Sequence, residues 1–424
     1  MNHKIGNLFK GDKVIWMVFL FLCMISIVEV FSASSTLSYK TQNYMGPLFY
    51  HTSMIVAGLF VAIITLNVPC RYFKIATPML LAVSFFTLVW VLLGGESING
   101  ANRVIKLAGF TFQPSEIAKG TMVLATAQIM SAMQRPDGSG ANDKAMKYVL
   151  CIVIPTICLI GIENLSTAAL LFAVIFLMMF IGRVPLIQMG KLMGVGELII
   201  GVFLALVFTL GSFDNSENES PASTIVDGKA GSKDEIKGGG VFHRFATWRN
   251  RITKHSDTKD VPPEEYDIDK NYQVGHANIA IATSGVIGKG PGNSTERDYL
   301  PQAFSDFIYA IVIEEMGIFG AVIVVFLYVI LLFRTARIAG RCENNFPAFL
   351  IMGLALLLVM QATINMLVAV QLMPVTGQPL PLISKGGTST IINCAYIGVI
   401  LSVSRSAKRN DVVKKTTGRK LEDH

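Results

Sequence analysis

Several ionisable side chains fall inside or at the ends of long apolar runs: Glu29, Glu116, Lys119, Glu163, Asp306, Glu314 and Glu315. A charge in hydrocarbon costs roughly 2.5–3.5 kcal/mol on insertion scales, so each needs a partner, a polar cavity or a chemical task. Glu116 and Lys119 stand three residues apart behind Pro114, on one face of a helix where they can pair. For Glu314 and Glu315, pairing with a cation from a neighbouring helix is the first reading and catalysis the second. Glu29 stands alone in its run and reads as a buried helix contact. Asp306 opens the run Asp306-Phe307-Ile308-Tyr309-Ala310 directly after a long polar stretch. Its position leaves two roles open: a capping or first-turn acid, favourable by about 0.5–2 kcal/mol, or a carboxylate with a task at the membrane boundary. His243, His255 and His276 lack ligand spacing, which argues against a histidine metal centre. The Gly-rich segment 284–294 carries Lys289 but not the spacing of a phosphate loop. Close backbone packing or a re-entrant turn accounts for it better.

The elements that must position these groups are membrane helices. The chain has 424 residues, 52% hydrophobic and 15% charged, and its apolar residues are clustered. Runs long enough to cross about 30 Å of hydrocarbon fall at roughly 14–34, 46–67, 75–94, 114–133, 148–162, 165–182, 186–211, 306–333, 346–370 and 386–404. The expected fold is therefore an all-α polytopic membrane domain of about ten helices. The fifth run is short and ends in Glu163-Asn164, so it is either tilted or broken, or it pairs with the sixth through a buried turn. The first run follows Lys4, Lys10 and Lys13 and reads as an uncleaved first helix, since many spans follow it. Lys and Arg in alternate short loops (Arg71, Lys74; Arg135, Lys144, Lys147; Arg183, Lys191; Arg334, Arg337, Arg341) put both termini in the cytoplasm. Residues 212–305 then form a large extracytoplasmic loop, and 405–424 a basic cytoplasmic tail. The net charge of +7 is explained by a basic inner rim facing anionic lipid and requires no nucleic acid. The six cysteines all lie in spans or on the inner side, which argues against a disulfide framework. Within the large loop, 215–240 is an insertion rich in Ser, Gly, Asp and Lys. Phe245, Trp248 and Ile252 with Arg244, Arg249 and Arg251 have a basic amphipathic cast suited to a membrane surface.

Four segments carry a resemblance: N-G-A-N-R-V-I at 99–105, Q-P-S-E-I-A-K at 113–119, Y-L-P-Q-A-F-S-D-F-I-Y-A-I-V-I-E-E-M-G at 299–317 and P-V-T-G-Q-P-L-P-L-I-S-K-G-G-T-S at 374–389. With them the chain resembles, over nearly its whole length, the SEDS family (shape, elongation, division and sporulation), its division branch FtsW more than its elongation branch RodA. The resemblance implies a peptidoglycan glycosyltransferase that polymerises lipid II, the undecaprenyl-diphosphate disaccharide-pentapeptide, at the outer face of the inner membrane. It would act at the division septum, beside a class B penicillin-binding protein transpeptidase and other divisome membrane proteins. The family's essential acid falls on Asp306, which would take the proton of the attacking sugar hydroxyl. Cations would stabilise the departing lipid diphosphate, and the candidates are Arg103, Lys106, Lys119, Arg244 and Arg251, with a divalent cation (Mg or Mn) as a further candidate. Glu116, Ser305 and Lys385 would shape the cavity.

The chain departs from the family's pattern in three places. Gln302-Ala303-Phe304-Ser305 replaces Glu-Ala-His-Thr, Glu163-Asn164-Leu165-Ser166-Thr167 stands for Q-P-D-x-G-T, and Lys385 replaces a frequent Tyr. Roles tied to the lost His, Glu and Asp do not carry over. The alternatives are a lipid II flippase, an elongation-type polymerase and a scaffold that recruits the transpeptidase without chemistry of its own.

Overall fold

The computed structural model describes residues 10–34, 45–98, 101–107, 110–210, 249, 253, 272–300 and 303–422. Apolar runs become helices: α1 (Lys13–Ala33), α2 (Gly46–Asn67), α3 (Cys70–Gly94), α4 (Pro114–Ala132), α5 (Ala145–Glu163), α6 (Leu165–Ile181), α7 (Leu186–Leu210), α8 (Tyr272–Ser284), α9 (Ile308–Ala339), α10 (Asn345–Ala369) and α11 (Thr388–Glu422). Eight of these are long and apolar enough to cross a membrane: α1, α2, α3, α5, α7, α9, α10 and the first part of α11. The other two segments expected to span are also helical. These are α4, whose hydropathy is lowered by Glu116 and Lys119, and the shorter α6. Residues Met1–Leu186 and Tyr272–His424 form one unit and Ile187–Asn271 a second, whose described helix is α7. Arg244 and Arg251 lie outside the described residues, as does the 215–240 insertion.

Local sequence explains the helix boundaries. Asp12 caps α1 by accepting from Val14 N at 2.9 Å and Ile15 N at 3.3 Å. Asn164 ends α5 in an extended conformation and in the same place caps α6, accepting from Thr167 N at 3.2 Å. The fifth and sixth segments are thus a helical pair joined through one buried residue. α2 and α11 pack closely because a Cβ at Gly398 would land on Thr65 and Ala62.

Two features depart from the expected run of plain helices. Residues 96–112 form a three-stranded antiparallel sheet, β1 (Glu96–Ile98), β2 (Ala101–Leu107) and β3 (Phe110–Phe112), in the order β1-β2-β3, with Glu96 opposite Val104 and Ile105 opposite Phe112. The second departure is in α9, which is broken at Gly317 (φ 70°, ψ −173°), a conformation that belongs essentially to glycine. Before the break, Ile308 to Glu315 are at most 5% exposed, enclosed by protein on all sides. After it, Ile318, Phe319, Phe326 and Phe333 face outward, as residues against lipid do. The outward-facing part, Ile318–Ala339, is about 33 Å long at 1.5 Å per residue, enough for a full span without the first segment. The break therefore replaces the single span expected from 306 to 333.

α1 and α9 run antiparallel. Near one end Arg334 grips Asp12 with Nε at 2.9 and 3.0 Å and Nη2 at 2.7 Å, and near the other Ser32 donates to Glu315. Partial burial works against the charge of Asp12, but the Arg334 guanidinium and the two backbone N–H donors hold its carboxyl below the ordinary value.

Candidate active site

Asp306 closes a turn, residues 303–307, that leads into α9. It does not cap that helix: Phe307 occupies the cap position, no side chain caps it, and the first turn holds no acid. The capping role left open by spacing is therefore set aside. The carboxylate accepts from Ser305 Oγ at 2.9 Å, and the Asp306 carbonyl accepts from Asn365 Nδ2 at 2.8 Å.

Opposite this turn runs the loop between α10 and α11, rich in proline and glycine. Ser384 Oγ donates to the Ser305 carbonyl at 2.6 Å and receives Leu380 N at 2.7 Å, while Lys385 N donates to the Phe304 carbonyl at 2.9 Å. Gly377 (φ 68°) faces the site so closely that an added Cβ would lie 3.5 Å from Asp306 Oδ2. The loop is pinned from several helices. Ser26 of α1 donates to the Ile383 carbonyl at 2.7 Å, and Tyr328 of α9 donates to the Pro381 carbonyl. Gln378 Nε2 reaches Thr167 Oγ1 of α6 at 2.6 Å. A loop with no regular hydrogen-bond ladder is held in one path by side chains.

Two amides one turn apart on α10 do most of this clamping. Asn365 Nδ2 donates to both the Asp306 carbonyl and, at 2.7 Å, the Gln378 carbonyl. Gln361 Nε2 donates to the Pro379 carbonyl at 3.0 Å, and its Oε1 accepts from Lys119 Nζ at 2.7 Å. Lys119 also pairs with Glu116 at 2.8 Å, as their spacing implied. Lys119 is fully buried with internal partners, so it is an internal staple and is not presented to a ligand, contrary to its expected place among the diphosphate-binding cations. Arg103 and Lys106 lie on β2, and their side chains are outside the described residues.

Glu314 and Glu315 belong to a second, structural network. The Gly-rich segment after α8 lies against the break in α9: Lys289 N and Gly290 N donate to the Glu314 and Glu315 carbonyls at 2.9 and 2.8 Å, and Ile318 N donates back to Gly285 O at 3.3 Å. Lys289 Nζ pairs with the Glu314 carboxylate at 2.6 Å, which also accepts from Ser294 and from Thr295 N and Oγ1. Glu315 accepts from Gly292 N, Ser294 N and Ser32. Close backbone packing was the expectation for this segment, and pairing was the first reading of the two acids. His276, expected to lack a metal role, contacts Glu296 at 2.6 Å and stacks on Tyr299.

Lys385 lies over the Phe304 ring, 4.9 Å from its centroid, and partial burial lowers its pKa from the ordinary lysine value. A divalent cation would need a donor set. Among the described residues no group of three or more His, Cys, Asp or Glu side chains could hold one. The site is thus a half-buried carboxylate on a turn that faces a pinned loop, with the Lys385 ammonium of that loop resting on Phe304, two residues before Asp306. Such an arrangement can take a proton from a hydroxyl and place a positive charge near an anion.

Comparison with known proteins agrees with this architecture. The sequence profile of the family FTSW_RODA_SPOVE, described as "Cell cycle protein", matches residues 12–409. A protein of a Geobacter species, "Probable peptidoglycan glycosyltransferase FtsW", is 28% identical over 93% of this chain and 96% of its own length. The Escherichia coli "Peptidoglycan glycosyltransferase MrdB" is 25% identical, with 94% of each chain covered. Among solved structures, a chain of a peptidoglycan synthase complex that coordinates polymerization and crosslinking superposes with a TM-score of 0.67 at 24% identity, covering 94% of this chain and 98% of that one. The Thermus thermophilus rod shape determining protein RodA superposes with a TM-score of 0.60 at 21% identity, covering 95% and 99%.

Proposed function

Since the chain belongs to the FtsW/RodA/SpoVE family of cell cycle proteins, we propose that it is a peptidoglycan glycosyltransferase of the FtsW branch that polymerises lipid II during septal cell-wall synthesis. The relatives named for this activity align with it almost end to end. The basic loops support a topology with both termini in the cytoplasm and Asp306 at the outer boundary of the membrane, the side on which the proposed lipid-linked substrate would be presented.

The observation that carries the catalytic reading is the support around Asp306. Its carboxylate accepts from Ser305 Oγ, its backbone carbonyl is held by Asn365, and the facing loop ties the carbonyl of Ser305 through Ser384. In the reaction Asp306 accepts the proton of the acceptor hydroxyl as its oxygen bonds to the donor's anomeric carbon. The bond from that carbon to the diphosphate breaks and its electron pair leaves with the lipid diphosphate. Because the described donor set does not fit a divalent ion, no step is assigned to one. A class B penicillin-binding protein is the proposed partner that crosslinks the strands, within the divisome of the inner membrane.

The test is polymerisation of lipid II by the purified protein, with and without the transpeptidase. General-base catalysis supplies typically 10²–10⁴-fold, so D306A and D306N should lose roughly that much while staying folded. D306A polymerising at the wild-type rate would remove Asp306 as the base, and wild-type protein that translocates lipid II without polymerising it would replace the enzyme by a transporter. Normal division with D306A, the partner still bound, would replace it by a scaffold. Activity that survives chelation would remove an essential metal ion. A fluorescent fusion that does not gather at midcell would remove the septal role.

A further inference from the structure

A polymerase that expels a diphosphate needs a cation beside the leaving group. Of the cations expected to serve, Lys119 is consumed by Glu116 and Gln361. Lys385 is placed differently. Its backbone is tied to Phe304, two residues before Asp306, and its neighbour Ser384 is tied to Ser305. Its ammonium rests on the Phe304 ring, and among the described residues no carboxylate pairs with it. Burial is the one cause of its lowered pKa, and a nearby carboxylate would push the other way. His51 of α2, bonded to Ser26, is a titratable group that feels its charge. Lys385 also stands just ahead of Thr388, the first residue of α11, where the helix dipole disfavours a cation. An ammonium that is partly desolvated and, among the described residues, contacts an aromatic ring and no counter-charge has its electrostatic balance met when an anion arrives.

On the reading of this chain as a lipid II polymerase, we propose that Lys385 binds the diphosphate of the lipid-linked donor and of the released polyprenyl diphosphate. The loop that carries it is pinned from α1, α6, α9 and α10, so the charge is positioned before the ligand binds. The tyrosine that the family resemblance places here cannot supply this charge, which makes the contact particular to chains with lysine at this position.

The experiment measures equilibrium binding of undecaprenyl diphosphate, with undecaprenol as the uncharged control, to full-length protein in nanodiscs. K385M should weaken diphosphate binding by about tenfold or more, K385R should stay within about threefold, and undecaprenol binding should not change. In wild-type protein, undecaprenyl diphosphate should shield Lys385 from acetylation as read by peptide mass spectrometry, a readout that does not depend on any variant folding. Wild-type affinity in K385M, equal loss in K385R and K385M, or acetylation of Lys385 unaffected by the ligand would overturn the proposal. Because binding is read without polymerisation, the two readings fail separately. Lys385-dependent binding with no polymer formed would sink the enzyme reading alone, and polymer formed with Lys385-independent binding would sink this one alone.

Discussion

Replacing Asn365 tests whether the site is positioned by α10. Its amide nitrogen spends both hydrogens on the two segments that frame Asp306, at 2.8 Å to the Asp306 carbonyl and 2.7 Å to the Gln378 carbonyl. The side chain is 1% exposed, so water cannot take its place without repacking. A buried acceptor left unpaired costs about 1–3 kcal/mol, and N365A leaves two, so stability should fall by about 2–4 kcal/mol. The catalytic cost comes from position. With its carbonyl released, the 303–307 turn can shift by a fraction of an ångström to an ångström, and a misplacement of about 1 Å costs on the order of 100-fold in rate.

N365D separates the two effects, because it keeps the shape of the side chain but turns carboxylate oxygens toward two carbonyl oxygens. Both variants should polymerise lipid II about 100-fold more slowly per folded molecule, with lipid II binding changed by less than about threefold, since Asn365 lies behind the site. The assay is initial rate of glycan formation against lipid II concentration, normalised to the folded fraction from size exclusion and a melting curve. A folded N365D with wild-type turnover would refute the reasoning. So would N365A activity that falls only in proportion to unfolded protein.

Other perturbations read other parts of the molecule. At Gly317 and Gly288 an added Cβ would meet the opposing backbone, so G317A and G288A should each lose about 3 kcal/mol or more. G285A (φ 65°), with open space around it, should lose only about 1–2 kcal/mol, and equal melting temperatures for the three would discredit the packing. Glu29 is fully buried, and neither carboxyl oxygen has a hydrogen-bond partner among the described residues, so E29M should raise stability by about 1–3 kcal/mol. A lower melting temperature would show the argument wrong. The Asp12 carboxyl is held below its ordinary value, so its contribution is complete above about pH 4 and is lost as pH falls through the lowered value. Acid melts of wild type should therefore converge on those of D12N below that point, and parallel curves would count against it. Because Lys385 has a lowered pKa, diphosphate binding should fade on the alkaline side before the ordinary lysine value of about 10.4. K385R should extend that limb upward, and an unchanged limb would exclude Lys385 as its source.

What the sequence could reveal depended on the range of each interaction. Apolar runs mark helices because hydropathy is local, and the pairing of Glu116 with Lys119 is legible because three residues on a helix bring the two to one face. The small sheet was missed although Asn99-Gly100 between extended-type residues is a hairpin signal, because the surrounding spans made helix the default. The break in α9 escaped for another reason. Averaged hydropathy is nearly blind to one glycine, and only the backbone of Gly288 against Gly317 reveals why the helix must stop there. Gln361 and Asn365 carried a signal that went unused: two amides one turn apart in an otherwise apolar run, where uncompensated polar groups are costly.

The two lysines show where local reading ends. Lys119 and Lys385 both lie in segments that resemble the family, and the resemblance made Lys119 a diphosphate candidate and Lys385, which replaces a frequent tyrosine, a cavity-shaping one. Their roles are decided by partners distant in the chain. Gln361 takes the Lys119 ammonium, whereas Phe304 offers Lys385 a ring and no counter-charge. In a membrane interior every charge must be answered, and one answered from within the chain is a staple whatever motif it belongs to. A charge that the described residues leave unanswered, on a loop tied to the turn of Asp306, is where the proposed diphosphate completes the balance.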